Sequence, residues 1–164
     1  MPGKTHHVLF VCTGNSARSI LAEALLNNIG KGRFVAYSAG SQPSGTVHPL
    51  ALSTLQTLRI PTDSLRSKSW EEFARPGAPD LDFVFTVCDN AAGEMCPVWP
   101  GQPMSAHWGL PDPAAFDGKD TEKAKAFMST AITLKRRLDL MLSLPIKSLD
   151  SMALHREITH IGKA

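Results

Sequence analysis

The sequence predicts an α/β fold, a four-stranded parallel sheet with helices on both faces, and three observations predict it. The run Val8-Leu9-Phe10-Val11 is apolar without polar alternation, as expected of a parallel strand buried on both faces. It passes through a Gly-containing turn straight into a helical pattern and then a second strand-like run. Two further strand-like runs alternate with helical ones downstream.

Residues 7–11 form the first predicted strand. Residues 18–29 follow as a helix, with Ala22, Leu25, Leu26 and Ile29 at helical spacing and Gly30 and Gly32 closing it. Residues 35–40 make a second strand, ended by the loop 41–45. A second helix spans 48–58, with Pro49 near its start and Leu52, Leu55 and Leu58 recurring. Residues 67–74 predict a short helix, ended by the Pro- and Gly-containing stretch 75–79. Residues 81–87 are a third strand, which leaves Cys88 at its C-terminal end, the end where open parallel sheets bind ligands. The stretch 88–95 fits a short helix or a loop, and the Pro-rich run 97–103 excludes regular structure. Residues 104–108 are the fourth strand. A long helix covers 121–142, with Ala124, Phe127, Met128, Ala131, Leu134, Leu138 and Met141 on one side. The tail 145–164 has no decisive period.

The chain of 164 residues, 43% of them hydrophobic, suits a single domain over 1–164. A formal charge of +2 with no basic stripe argues against nucleic acid, and the densest basic cluster, Lys135-Arg136-Arg137, fits a solvated helix face. No apolar run nears the roughly 20 residues of a membrane span, and the first ten residues lack the apolar core of an export signal. A cytoplasmic protein, a monomer without membrane attachment, is therefore expected. Three cysteines, an odd number, favour reactive thiols or metal ligands over a disulfide framework. The six histidines are scattered, and ordinary surface or core roles suit them.

The chemistry concentrates in Cys12-Thr13-Gly14-Asn15-Ser16-Ala17-Arg18-Ser19, between the first strand and the first helix. A buried strand that turns into a helix leaves several backbone N–H groups directed into one concavity, where the helix dipole also favours negative charge. That is an oxyanion cradle. Cys12 opens it, where these amides are expected to lower the thiol below its free value of about 8.5. Arg18 closes it with a planar fork suited to two oxygens of a tetrahedral anion. An Arg six positions after a Cys says little alone; the preceding strand, the Gly and Asn, and the small hydroxyl residues give the spacing its meaning.

Cys88 and Cys96 are separated by seven intervening residues, a poor spacing for metal, and no metal is expected. Taken alone, Cys88 would be an ordinary buried cysteine. It follows a strand of the same sheet as Cys12, however, so both should face one crevice. Two nucleophilic sulfurs at one oxyanion site suggest electron transfer: a second thiol can attack the first sulfur, eject the ligand with two extra electrons and leave a disulfide, which a third thiol can take over. Asp112, in the loop after the fourth strand, lies on the same edge. Beside these groups it suits a general acid; alone it would be an Asp-Pro turn.

The run 11–19, the segment Thr86-Val87-Cys88-Asp89 with Cys96 after it, and His107-Trp108-Gly109 with Asp112-Pro113 together resemble the thioredoxin-coupled arsenate reductases, built on the low-molecular-weight tyrosine phosphatase fold. The resemblance reaches to about residue 142. It implies that Cys12 attacks arsenate, that Arg18 holds the oxyanion and that Asp112 protonates the departing oxygen. It further implies that Cys88 displaces arsenite by attacking Cys12, and that Cys96 attacks Cys88 to present a Cys88–Cys96 disulfide to thioredoxin. Asn15 and Ser16 resemble residues that shape the cradle, and Ser19 one that hydrogen-bonds the nucleophile. No bound cofactor is implied; the electrons come from reduced thioredoxin, or from glutathione with glutaredoxin as in some relatives. The rival is a phosphotyrosine hydrolase, which shares Cys12, Arg18 and an Asp-Pro acid. Such enzymes follow the acid with aromatic residues that grip the substrate ring, whereas Ala114-Ala115 stand here.

Overall fold

The computed structural model describes residues 5–88 and 103–164. Strand β1 (His6–Cys12) pairs in parallel with β2 (Phe34–Gly40) on one side and β3 (Phe83–Thr86) on the other, and β4 (Met104–His107) continues the sheet, giving the order β2-β1-β3-β4. Val8, Leu9, Phe10 and Val11 are all fully buried, so both faces of β1 are covered, as the absence of polar alternation requires. The chain leaves β1 towards β2 on one side and later returns to pair β3 on the other. The crevice outside the carboxyl ends of β1 and β3 is therefore the topological switch point, where sheets of this kind bind ligands.

Helix α1 (Arg18–Ile29) packs on β1 and β2 and against α3 (Asp120–Leu142), which also receives α2 (Pro49–Thr57). Helix α4 (Ser151–Ile161) lies against β4. It starts where Asp150 accepts a hydrogen bond from the Ala153 amide at 2.8 Å, and it buries Leu154, Ile158 and Ile161. The tail that lacked a readable period is thus an ordinary capped helix. A fully buried Trp108 joins it to the sheet, stacking on Phe85 at 4.2 Å and donating its indole N–H to Ile158 O at 2.9 Å.

Four expectations need correction in detail. The third strand is shorter than 81–87, spanning Phe83–Thr86, and 67–74 contains only the 3-10 turn Trp70–Phe73. Helix α2 buries Ala51, Thr54 and Leu55 rather than the Leu52, Leu55, Leu58 row, since Leu58 lies beyond the helix and is exposed. On α3, Arg137 is not part of a solvated face: it is 6% exposed and shares the buried side with Leu134, Leu138 and Met141. Among the described residues no helix is long and apolar enough to cross a membrane.

Candidate active site

Cys12 is the last residue of β1, paired in register with Gly40 at the end of β2. The close approach depends on the glycine, because a Cβ at position 40 would overlap the Thr13 carbonyl oxygen and press on Asn15. From Cys12 the chain runs through 13–17 into α1, and its carbonyls are tied outward. Thr13 O accepts from Gln42 N, Gly14 O from Ser44 N, and Ser16 O from His48 N, each at 2.9 Å. The amides of the loop are thereby left for the concave side, where that of Gly14 reaches the Cys12 sulfur. The first turn of α1 adds to them: Ala17 supplies no side-chain cap and no acidic residue stands in that turn, so the helix amides there have no internal anion.

Asn15 is the pivot of the loop. Its φ of 47° lies in the left-handed region that Asn tolerates better than most residues, and its side chain is fully buried. The amide nitrogen donates to Ser19 Oγ at 2.8 Å and to Ser38 Oγ at 2.9 Å, and the amide oxygen accepts from Lys68 N at 2.8 Å. Ser19 thus meets Asn15, the residue that shapes the loop.

Cys12 and Cys88 are both buried, 5% and 3% exposed, and their thiols share a hydrogen bond. The Thr13 hydroxyl also lies 3.5 Å from the Cys88 sulfur. Arg18 reaches across to the loop after β4: Nη1 donates to Leu110 O at 2.8 Å, Nη2 stands 3.8 Å from Asp112 Oδ2, and Nε is buried with no protein acceptor. Asp112 also accepts from Ala114 N at 3.0 Å through its other oxygen, so it is at once the cap of the 3-10 turn Pro113–Ala115 and, among the described residues, the carboxylate paired with Arg18. Cys12, Thr13–Ser19, Cys88 and Asp112 form one constellation at the switch point; Cys96 lies outside the described residues.

The sequence matches the family described as low molecular weight phosphotyrosine protein phosphatase over residues 7–153. The chain belongs to that family. Within it, an arsenate reductase of Halalkalibacterium halodurans is 32% identical over 131 residues, 80% of this chain and 91% of that one. A glutaredoxin arsenate reductase of Synechocystis is 30% identical over 136 residues, 83% of this chain and 95% of the relative. Among solved structures, an arsenate reductase in the phosphate-binding state superposes with a TM-score of 0.66 at 29% identity, covering 82% of this chain and 95% of that one. A thioredoxin-dependent arsenate reductase of Corynebacterium glutamicum gives 0.56 at 26%, covering 85% and 65%.

One electrostatic expectation for this phosphatase-family site is overturned. The Cys12 thiol is pushed well above the ordinary thiol range, first by its hydrogen bond with Cys88 and then by burial, while Arg18 and the Gly14 amide pull it down. A buried thiol beside a second thiol keeps its proton, and the cradle amides do not outweigh that. Sequence reasoning also missed Glu23, Ser38 and Lys68, buried polar residues behind the loop, and Arg137, which donates to Trp108 O at 3.2 Å and Gly109 O at 3.3 Å. Glu23 sits on α1 among apolar neighbours, which was a readable signal; Lys68 and Arg137 stand in stretches whose pattern reads as surface.

Proposed function

We propose that this protein is an arsenate reductase that works through a Cys12, Cys88, Cys96 thiol-disulfide relay and is re-reduced by thioredoxin. The observation that carries the reading is the contact between the Cys12 and Cys88 thiols inside a cradle whose closing arginine keeps a buried, unused Nε–H. Hydrolysis of a phosphate ester needs one sulfur; removal of an oxygen from As(V) needs a second electron-pair donor at the first.

The steps follow from where the protons and electrons can go. Arsenate enters as an anion, held by the loop amides and the Arg18 fork, and its basic oxygen takes the proton that Cys12 retains. The Cys12 sulfur bonds to arsenic, an As–O bond breaks, and the departing oxygen takes a proton from Asp112 and leaves as water. Cys88 attacks the Cys12 sulfur, and its proton passes to an oxygen of the arsenic adduct. As the S–S bond forms, the S–As electron pair stays on arsenic, which leaves as arsenite, As(III). Cys96 attacks Cys88, Cys12 returns as a thiol, and the Cys88–Cys96 disulfide is reduced by a thioredoxin dithiol, so two electrons enter for each arsenate reduced.

The arsenate reductases at 30–32% identity support the substrate, and the thioredoxin-dependent neighbour supports the donor. A glutaredoxin-using relative makes glutathione with glutaredoxin the alternative donor. The family's phosphatase activity remains the rival, and Ala114-Ala115 in the turn after Asp112 offer an aromatic ring little to stack on. The test is arsenite formation with excess arsenate, run in parallel with reduced thioredoxin and with glutathione plus glutaredoxin. Sustained turnover with thioredoxin is expected; turnover only in the second mixture would move the donor, and none in either would leave the phosphatase.

A further inference from the structure

Helix α4 takes no part in the proposed chemistry, yet it closes on the segment that leads from β4 to Asp112. All but its first three residues lie past residue 153, where the family match ends. The contact has three points. Ile158 O accepts the Trp108 indole N–H at 2.9 Å. Gly162 lies so near that a Cβ there would stand 2.6 Å from His107 O and 2.8 Å from Trp108 Cδ1. Its φ of −62° is one that any residue adopts, so the missing side chain answers to space and not to backbone conformation. Ala164 O accepts from Arg137 Nε at 3.3 Å, and the same guanidinium donates to Trp108 O and Gly109 O.

The acid loop depends on this root because the loop itself is thinly packed. Of residues 109–116 only Pro113 is buried, and Asp112 is exposed. A cavity of about 780 Å³ lies between the loop and α3, bounded by Leu110, Asp112 and Phe116 on one side and Ala126, Ser129 and Thr133 on the other. The loop's fixed points are therefore at its start. Trp108 N and Leu110 N donate to the carbonyls of Thr86 and Val87 at 2.7 and 3.2 Å, and Arg18 donates to Leu110 O at 2.8 Å. Those bonds engage the backbone alone. The Trp108 ring adds a side-chain anchor: Phe85 stacks on it at 4.2 Å and α4 takes its N–H, which together block rotation of the chain about its own axis at the root of the loop.

We infer that Trp108 is a positioning residue for the general acid: held by α4, it fixes the root of the loop so that Asp112 stands beside Arg18 at the oxyanion cradle. Trp108 touches no reacting atom. It acts through the short backbone lever that runs from it to Asp112, where a rotation at the root is enlarged at the carboxyl, and proton transfer is sensitive to such a displacement.

The inference rests on the reading of Asp112 as the acid, so the wild type and Asp112→Asn are compared first on two aryl esters. Phenyl phosphate has a poor leaving group that needs a proton, whereas para-nitrophenolate leaves without one. No hydrolysis by the wild type, or an unchanged rate on phenyl phosphate in Asp112→Asn, would remove that reading and the inference with it. With the acid established, Trp108→Phe keeps a ring on Phe85 and loses the N–H. It should lower kcat/KM for phenyl phosphate about tenfold, a part of the roughly 100- to 10,000-fold that a placed acid contributes, and leave para-nitrophenyl phosphate within about twofold. Gly162→Ala reaches the same root from α4 without altering the loop and should show the same split, and phosphate affinity by calorimetry should stay at the wild-type value in both. In an Asp112→Asn background Trp108→Phe should cost nothing further, because no acid is left to place. Equal losses on the two esters, a further loss in the double variant, or wild-type kinetics in both folded single variants would overturn the inference while leaving Asp112 as the acid.

Discussion

Cys12 holds its proton more firmly than a free thiol because it is hydrogen-bonded to another thiol and buried. In the proposed reaction its reactivity is switched on by what enters the cradle, since a dianionic oxyanion would bring both a base and a charge for Arg18 and the loop amides to bind. Cys12→Ser should abolish arsenate reduction with the fold kept, because a hydroxyl in the same place is far harder to ionise; a folded variant that still turns over would reassign the nucleophile. Arg18→Lys keeps the charge but loses the two-point grip, and phosphate binding by calorimetry should weaken by about 10- to 100-fold. Asp112→Asn should slow Cys12 attack about 100-fold or more at neutral pH, while an unchanged rate would leave Asp112 only as the cap of its turn. That Cys12 and Arg18 flank one tight loop could be read from the sequence because the strand, turn and helix that set it are local. The direction of the Cys12 shift could not, because it is set by Cys88, 76 positions away and brought alongside only by strand pairing.

At the scale of elements, the site is a strand end, a tight loop and a helix start, held in shape by segments that carry no chemistry themselves. The 42–48 stretch takes the loop's carbonyls, and Gly40 allows the two chains to touch. On the opposite side α3 supports the acid loop through Arg137, which donates to the carbonyls of Trp108 and Gly109 just before Asp112. Replacing Arg137 with Met should cost about 1–3 kcal/mol of stability by leaving those carbonyls unsatisfied, and it should lower the rate of Cys12 attack without changing phosphate affinity. A thermal melt and a single-turnover rate on the same sample check both halves. The strand and helix positions were legible because periodicity records which residues a layer buries: α1 spans the residues expected of it. The helix faces were less so. On α2 the buried row shifts to Ala51, Thr54 and Leu55, and on α3 a charged side chain is buried because a loop's carbonyls receive it, which no hydrophobic pattern encodes.

For the molecule as a whole, parallel pairing of β1 with β3 brings two thiols to one crevice at the switch point of the sheet, the juxtaposition on which the proposed electron transfer rests. Hydrolysis asks only for Cys12, the cradle and an acid, so under the proposed division of labour Cys88→Ser should still hydrolyse an activated aryl phosphate. Cys96→Ser should release about one arsenite per protein and then stop as a Cys12–Cys88 disulfide when thioredoxin is the only donor; sustained turnover would replace the three-cysteine relay with a two-cysteine or small-thiol route. The most direct measurement is the arsenite released in a single turnover by pre-reduced wild type and Cys88→Ser, with no donor present and with aryl phosphate hydrolysis followed on the same samples. The relay predicts about one arsenite per wild-type molecule and none from Cys88→Ser, with hydrolysis retained in the variant. Arsenite from Cys88→Ser, or none from the wild type, would contradict it.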